Sequence, residues 1–99
     1  MDFQTESNAV FKHAPGQVSA DLGGEMAILD SKSGIYYGLD QVGARVWSLI
    51  QENKNLMEIR DCLLEEYEVG SEQLEQDICA LIVQLQAKGL IEKDTVANP

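Results

Sequence analysis

The side chains that most often perform catalysis are few and scattered in this chain. Its one histidine, His13, lies in a predicted loop beside Pro15-Gly16, and its two cysteines, Cys62 and Cys79, lie in predicted helices among apolar neighbours. A nucleophile needs a base within hydrogen-bond reach, and these residues do not predict such a pair. The cysteines are also far apart and lack histidine partners at metal-site spacing. The sequence therefore predicts no catalytic centre, no metal and no cofactor.

Two other patterns that could support chemistry are incomplete. Gly23-Gly24 lacks the lysine and the strand-to-helix setting of a phosphate-binding loop. Asp30-Ser31 is weakly similar to the phosphopantetheine site of acidic carrier proteins, but Ser31 falls in a predicted turn and not at a helix start. A carrier protein stays open as a minor alternative, and a binding module is favoured.

The charge of the chain narrows the class of partner. Among 99 residues, 17 are acidic and 7 are basic, which gives a net charge of −10. Nucleic-acid phosphates and anionic membranes both select basic surfaces, so the sequence predicts neither partner. No signal peptide and no apolar run of membrane-spanning length is present in the sequence. We therefore expect a cytoplasmic location, in which both cysteines stay reduced.

The stretch Ile35-Tyr36-Tyr37-Gly38 is the most distinctive strand signal, because β-branched and aromatic side chains favour a pleated surface. Two strands precede it, over residues 17–22 and 25–30, and Gly23-Gly24 between them is a hairpin signal. Two successive hairpins predict an antiparallel sheet in the order 1-2-3, which leaves the third strand at an edge. An edge exposes unpaired N–H and C=O groups. We interpret Ile35–Tyr37 as a site where another chain adds a strand.

Three helices are predicted after the strands. Asp40 is the expected cap of the first helix, which runs to about Glu52. Asn55 and Glu58 form a capping-box pattern at the start of the second helix. The chain outside these elements is expected to form a flexible arm over residues 1–16, with Phe11 either packed on the domain or disordered, and a frayed tail over 94–99.

The third predicted helix begins at its expected cap, Ser71, and ends near Lys88, before Gly89. Its apolar face is wider than one core seam needs. That face comprises Leu74, Ile78, Cys79, Leu81, Ile82, Val83 and Leu85. Contact with two other helices would explain the width. The alternative is that one flank lines an open groove beside the third strand.

The ordered series of these motifs resembles the PqqD-like family of peptide-recognition proteins, also called RiPP recognition elements. The resemblance covers about residues 17–93 and is strongest to the stand-alone leader-binding proteins of lasso-peptide gene clusters. In chain order, the residues that carry it are Gly34, Ile35-Tyr36-Tyr37, Leu39-Asp40, Gly43, Trp47, Glu58-Ile59, Leu63, Tyr67, Asp77-Ile78, Leu81, Leu85 and Gly89-Leu90-Ile91.

The resemblance implies an α+β, winged-helix-like domain, with a three-stranded antiparallel sheet followed by three helices. It implies a non-catalytic protein that binds the leader segment of a ribosomally synthesised precursor peptide between the third strand and the third helix. In lasso-peptide systems, the bound precursor is presented to a cysteine-protease-type leader peptidase and an ATP-dependent cyclase. A PqqD-type chaperone that delivers a precursor to a radical S-adenosylmethionine enzyme is the alternative.

With this resemblance, backbone pairing with the leader is assigned to Ile35, Tyr36 and Tyr37. Asp77 would accept hydrogen bonds from the leader or attract a basic residue on it. The side-chain pockets are assigned to Ile28, Leu29, Asp77, Ile78, Ala80, Leu81 and Gln84. A winged-helix transcription regulator and a purely structural subunit stay as alternatives, and the scarcity of basic residues on the third helix disfavours the regulator.

Overall fold

The structure is a computed structural model that describes residues 1–94. In chain order its elements are α1 (Phe3–Glu6), β1 (Phe11–His13), β2 (Gln17–Asp21), β3 (Met26–Asp30), β4 (Ile35–Leu39), α2 (Gln41–Gln51), α3 (Leu56–Glu66), α4 (Ser71–Ala87) and β5 (Ile91–Lys93). The predicted α+β class is confirmed, with a three-stranded antiparallel sheet and three helices after it. The winged-helix label stays a prediction.

A tight turn at Gly23 and Gly24 joins β2 to β3. Both glycines have positive φ, at 78° and 101°, which a two-residue type I′ hairpin requires and which a Cβ disfavours. The N–H of Leu22 donates to the carbonyl of Glu25 at 2.8 Å and closes the turn. The sheet order is β2-β3-β4, so β4 is an edge strand, as predicted.

Local capping interactions determine where two of the helices begin. The Asp40 carboxylate accepts a backbone N–H three residues later at 2.8 Å, at the start of α2. Asn55 and Glu58 form the predicted capping box of α3, in which each side chain accepts the other residue's N–H at 2.8–2.9 Å. The predicted cap of α4 is wrong, because the N-cap is Gly70 and Ser71 is the first helical residue.

The core lies between the helices and one face of the three-stranded sheet. Trp47 of α2 and Ile28 of β3 are among its largest fully buried side chains. The helix stripes predicted from sequence supply most of the rest, comprising Val46, Leu49, Ile50, Leu56, Ile59, Leu63, Leu74, Ile78, Cys79, Ile82 and Leu85. Burial of this face gives α4 a defined rotation, which decides what its other flanks can contact.

The first sixteen residues contribute to a second, two-stranded sheet that the sequence analysis missed. β1 pairs antiparallel with β5, so that Phe11 lies opposite Lys93 and His13 lies opposite Ile91. Phe3 and Phe11 are both buried in the core. Phe11 therefore packs on the domain, which is one of the two alternatives that the sequence left open. The flexibility of residues 1–16 stays a prediction.

The C-terminal end of the described chain returns to the core as predicted. Gly89 has φ of 72°, the left-handed conformation that commonly follows a helix. Leu90-Ile91 is buried. Asp94 is the first residue of the tail predicted over 94–99, and its N–H donates to the Val10 carbonyl at 2.8 Å. Residues 95–99 of that tail lie outside the described residues.

Candidate functional site

The outer edge of β4 is open along its length. β3 is the only strand hydrogen-bonded to β4 within residues 1–94, and the N-terminal segment pairs with β5 instead. Ile35 is 50% exposed and Tyr36 is 70% exposed. The outer edge of this strand is therefore accessible to a second chain.

The phase of the ladder identifies the backbone groups that face outward. At one end of the β2–β3 ladder the Ser31 N–H donates to the Gly16 carbonyl at 3.0 Å, and at the other end the Leu22 N–H donates to the Glu25 carbonyl at 2.8 Å. Because bonded pairs alternate along antiparallel strands, Leu29 bonds towards β2 and Ile28 bonds towards β4. The register places Tyr37 opposite Ile28, so Tyr37 also bonds inward. Its neighbours Tyr36 and Gly38 therefore direct their N–H and C=O groups away from the sheet.

The two faces of the sheet differ in what covers them. Ile28 and Tyr37 lie opposite each other and pack on the helical core. Val18, Leu29 and Tyr36 form a cross-strand row on the other face, because side chains alternate along a strand. Val18 is 63% exposed, so this outer row is an apolar surface open to solvent.

A groove separates the edge of β4 from α4. At the C-terminal end of β4 it contains a cavity of about 400 Å³. At the middle of the strand, the Lys88 ammonium lies 4.9 Å from the centroid of the Tyr37 ring. The residues that line the cavity are Gly38, Leu39, Asp40, Val42, Gly43, Tyr67, Val69, Leu74, Asp77, Leu81 and Gln84. The cavity lining thus combines apolar side chains with carboxylate, amide and phenol groups.

Three of the helix residues predicted to bind peptide are brought together here. Asp77, Leu81 and Gln84 line the cavity, beside the backbone of β4. Of the sites that sequence reasoning missed, Val69 and Tyr67 line the same cavity from the segment before α4. An apolar residue between a helix end and Gly70 was the one local signal for Val69, and it is a weak one because single exposed apolar residues are common.

The other predicted pocket residues lie elsewhere. Ile28 and Ile78 are 0% and 1% exposed and belong to the core, so they support the groove from below. Leu29 lies on the outer face of the sheet, away from α4. Ala80 lies on another flank of α4 and lines a second cavity of about 730 Å³ between α1 and α4. Peptide contact by these residues stays a prediction.

The second cavity contains one of the two cysteines. Cys79 lines it beside Phe3 and Val83. Burial raises the pKa of the Cys79 thiol, which keeps it protonated and a poor nucleophile at neutral pH. Cys62 and Cys79 are both free thiols. Within residues 1–94, no cluster of three or more histidine, cysteine or carboxylate side chains could hold a metal ion.

The single histidine has a packing role. His13 lies in β1, where its ring stacks on Trp47 with centroids 3.7 Å apart. Its Nε2 is 3.0 Å from the Trp47 carbonyl oxygen. Burial lowers the pKa of His13, and the hydrogen bond to Trp47 opposes that effect in part. Burial of the ring therefore favours its neutral form over its charged form.

Comparisons with known proteins found a matching family and similar solved structures. The family described as "Coenzyme PQQ synthesis protein D (PqqD)" matches residues 25–91, which is 67 of the 99 residues. A solved structure described as "TbiB1 in Complex with the TbiA(beta) Leader Peptide" is similar with 38% identity and a TM-score of 0.77, over 82% of this chain and 94% of that one. A second, "Lasso peptide synthetase B1 complexed with the leader peptide", has 28% identity and a TM-score of 0.77, over 83% and 96% of the two chains. No curated protein matches.

Along residues 1–94, the structure has no helix with the length and apolar character needed to cross a bilayer.

Proposed function

The chain belongs to the PqqD family, as a PqqD-like RiPP recognition element, and on that premise we propose that it binds the leader segment of a precursor peptide. The observation that carries the proposal is the open edge of β4 beside the groove of α4. The similar structures named above were solved with leader peptides, which supports the same class of ligand here.

In the proposed complex, the leader adds to the sheet as a fourth strand. Tyr36 and Gly38 each offer one N–H and one C=O, so the added strand gains up to four backbone hydrogen bonds. At about 0.5–1.5 kcal/mol each, these contribute roughly 2–6 kcal/mol. One apolar anchor in the groove adds about 1.5–3 kcal/mol. With two anchors, and after the cost of ordering the peptide, a Kd on the order of micromolar results.

Side-chain selectivity comes from the groove. Alternate side chains of an added strand point to opposite faces, so every second leader residue faces α4. These residues contact Leu81 and Gln84 directly, whereas the backbone bonds to β4 accept any residue except proline. Generic affinity and selectivity are thus provided by different parts of the site.

The chain then acts as a non-catalytic adaptor that presents the bound precursor to separate cytoplasmic enzymes. The neighbour described as a lasso peptide synthetase B1 favours a cysteine-protease-type leader peptidase and an ATP-dependent cyclase over a radical S-adenosylmethionine enzyme. Presentation needs a surface that the leader leaves free. The outer row of Val18, Leu29 and Tyr36 meets that need, because an added strand extends this face without covering it.

Hydrogen exchange on a peptide complex tests strand addition directly. A peptide is first selected on the protein from a displayed library of random 16-residue sequences. We expect the amides of Tyr36 and Gly38 to become protected when it binds, while the amide of Tyr37, already bonded to β3, changes little. The absence of enriched peptides, or protection that leaves β4 unchanged, would contradict the proposal.

A further inference from the structure

We infer that the charged groups at the two ends of the groove determine the direction and register of the bound peptide. The preferred peptide has a lysine or arginine four positions before an aspartate or glutamate. This inference rests on the proposed function and specifies the class of peptide that the same site takes.

One end of the groove is acidic. Asp40 and Asp77 both line its cavity, and none of the described residues that line it is basic. Neither carboxylate forms an ion pair with another residue in the range 1–94. Asp40 accepts the backbone N–H of Gly43, and Asp77 accepts the side-chain N–H of Gln73 at 2.9 Å, so both partners are neutral. Their charge is therefore available to a cation on the peptide.

The other end of the groove is basic. Lys88 follows α4 as its C-cap residue, and its ammonium lies over the Tyr37 ring. Lys88 forms no ion pair within the described residues, whereas Arg45, Arg60 and Lys93 are each paired with a carboxylate elsewhere. An acidic peptide residue that reaches this end gains the attraction of an unpaired ammonium.

The spacing of the two ends sets the register. Asp77 and Lys88 are eleven residues apart, which corresponds to about 16.5 Å along a helix axis. That length is about five residues of extended strand, and the Lys88 side chain can reach back over Tyr37 to shorten it. Two side chains that both face α4 must be an even number of positions apart. Four positions is the largest even spacing that fits.

The order of the two charges follows from the direction of the chain. The cavity that contains Asp77 is at the C-terminal end of β4, and Lys88 lies over Tyr37, which precedes the cavity residues of β4 in the chain. All strand pairs in the described structure are antiparallel, and antiparallel pairing is the more stable arrangement per residue. A leader antiparallel to β4 enters at the acidic end, so its basic residue comes first.

Peptide selection on charge-reversed variants tests the inference. The probe is the displayed library of random 16-residue peptides, selected in parallel on the wild type, Asp77→Lys and Lys88→Glu. The matched controls are Glu65→Lys and Lys12→Glu, which change charge equally at exposed positions on α3 and β1. We expect the basic-x-x-x-acidic pattern with the wild type and both controls. Asp77→Lys should remove the basic preference, and Lys88→Glu should remove the acidic one.

Soluble peptides then measure the size of the effect. A selected peptide whose two charges are exchanged should bind the wild type about 2- to 5-fold more weakly per ion pair, as expected for exposed pairs. It should recover affinity on the variant that carries both Asp77→Lys and Lys88→Glu. Selected peptides without charge bias, or with the acidic residue first, would overturn the inference while leaving strand addition intact. Peptides that bind Gly38→Pro as tightly as Gly38→Ala would instead overturn the proposed function.

Discussion

Replacement of Gly38 by proline is the sharpest perturbation of the β4 edge. The Gly38 N–H points outward, so proline removes a hydrogen-bond donor that only an added strand would use. Proline is tolerated on edge strands when the lost N–H faces solvent, so the β3–β4 ladder should persist. Gly38→Ala is the matched control, because it keeps the N–H and its Cβ meets no atom within 4 Å.

The size of the effect follows from one backbone hydrogen bond. Its loss costs about 0.5–1.5 kcal/mol, which lowers affinity by roughly 2- to 13-fold. The proline ring also occupies the space of the incoming carbonyl, so the upper part of that range is expected. Gly38→Ala should bind within about twofold of the wild type, since the backbone donor is retained.

Fluorescence anisotropy with a labelled selected peptide measures the affinity, and thermal unfolding followed by circular dichroism measures the fold. Equal affinity of Gly38→Pro and Gly38→Ala would refute strand addition at β4. A large loss of thermal stability in Gly38→Pro alone would show that the Gly38 N–H bonds to β3, and that Gly38 is not one of the outward-facing residues of β4.

Three further outcomes are expected. Leu81→Arg places a charge in the apolar wall of the groove and should weaken peptide binding about tenfold or more, with an unchanged circular dichroism spectrum; unchanged affinity would exclude this wall from the site. Burial lowers the pKa of His13 in the folded state below its value of about 6.5 in the unfolded state. The neutral His13 ring therefore contributes its full stabilisation above pH about 6.5, and this contribution is lost as pH falls through the folded-state pKa. Urea unfolding at pH 7.5 and pH 5 should show this loss, and His13→Phe should reduce it; an equal loss in both proteins would contradict the assignment. Asn55→Ala removes the α3 capping box and should lower the free energy of unfolding by about 0.5–2 kcal/mol, and a change within error would show that the cap is dispensable.

The local elements of this fold could be predicted because nearby residues decide them. Gly23-Gly24 adopts the positive φ angles of its hairpin, and Asn55 caps α3 together with Glu58. Each of these interactions spans only a few residues. The family resemblance drawn from the same ordered motifs is confirmed by the PqqD match over residues 25–91.

Pairing between distant segments could not be predicted. Phe11 and Ile91 are far apart in sequence, and strands of three residues carry too short a pattern to identify a partner. The same limit applies to His13, whose neutral stacked ring depends on the position of Trp47 in α2. The sequence placed it in a loop because no local signal connects the two.

The sequence alone determined that β4 is a strand, that a long helix follows later, and which residues of that helix are apolar. Only the tertiary structure decided that Leu81 lines the groove while Ala80 lines a different cavity. The physical reason is geometric. Adjacent helix residues point about 100° apart, and the packing of the whole core sets the rotation of α4 and leaves the outer edge of β4 unpaired.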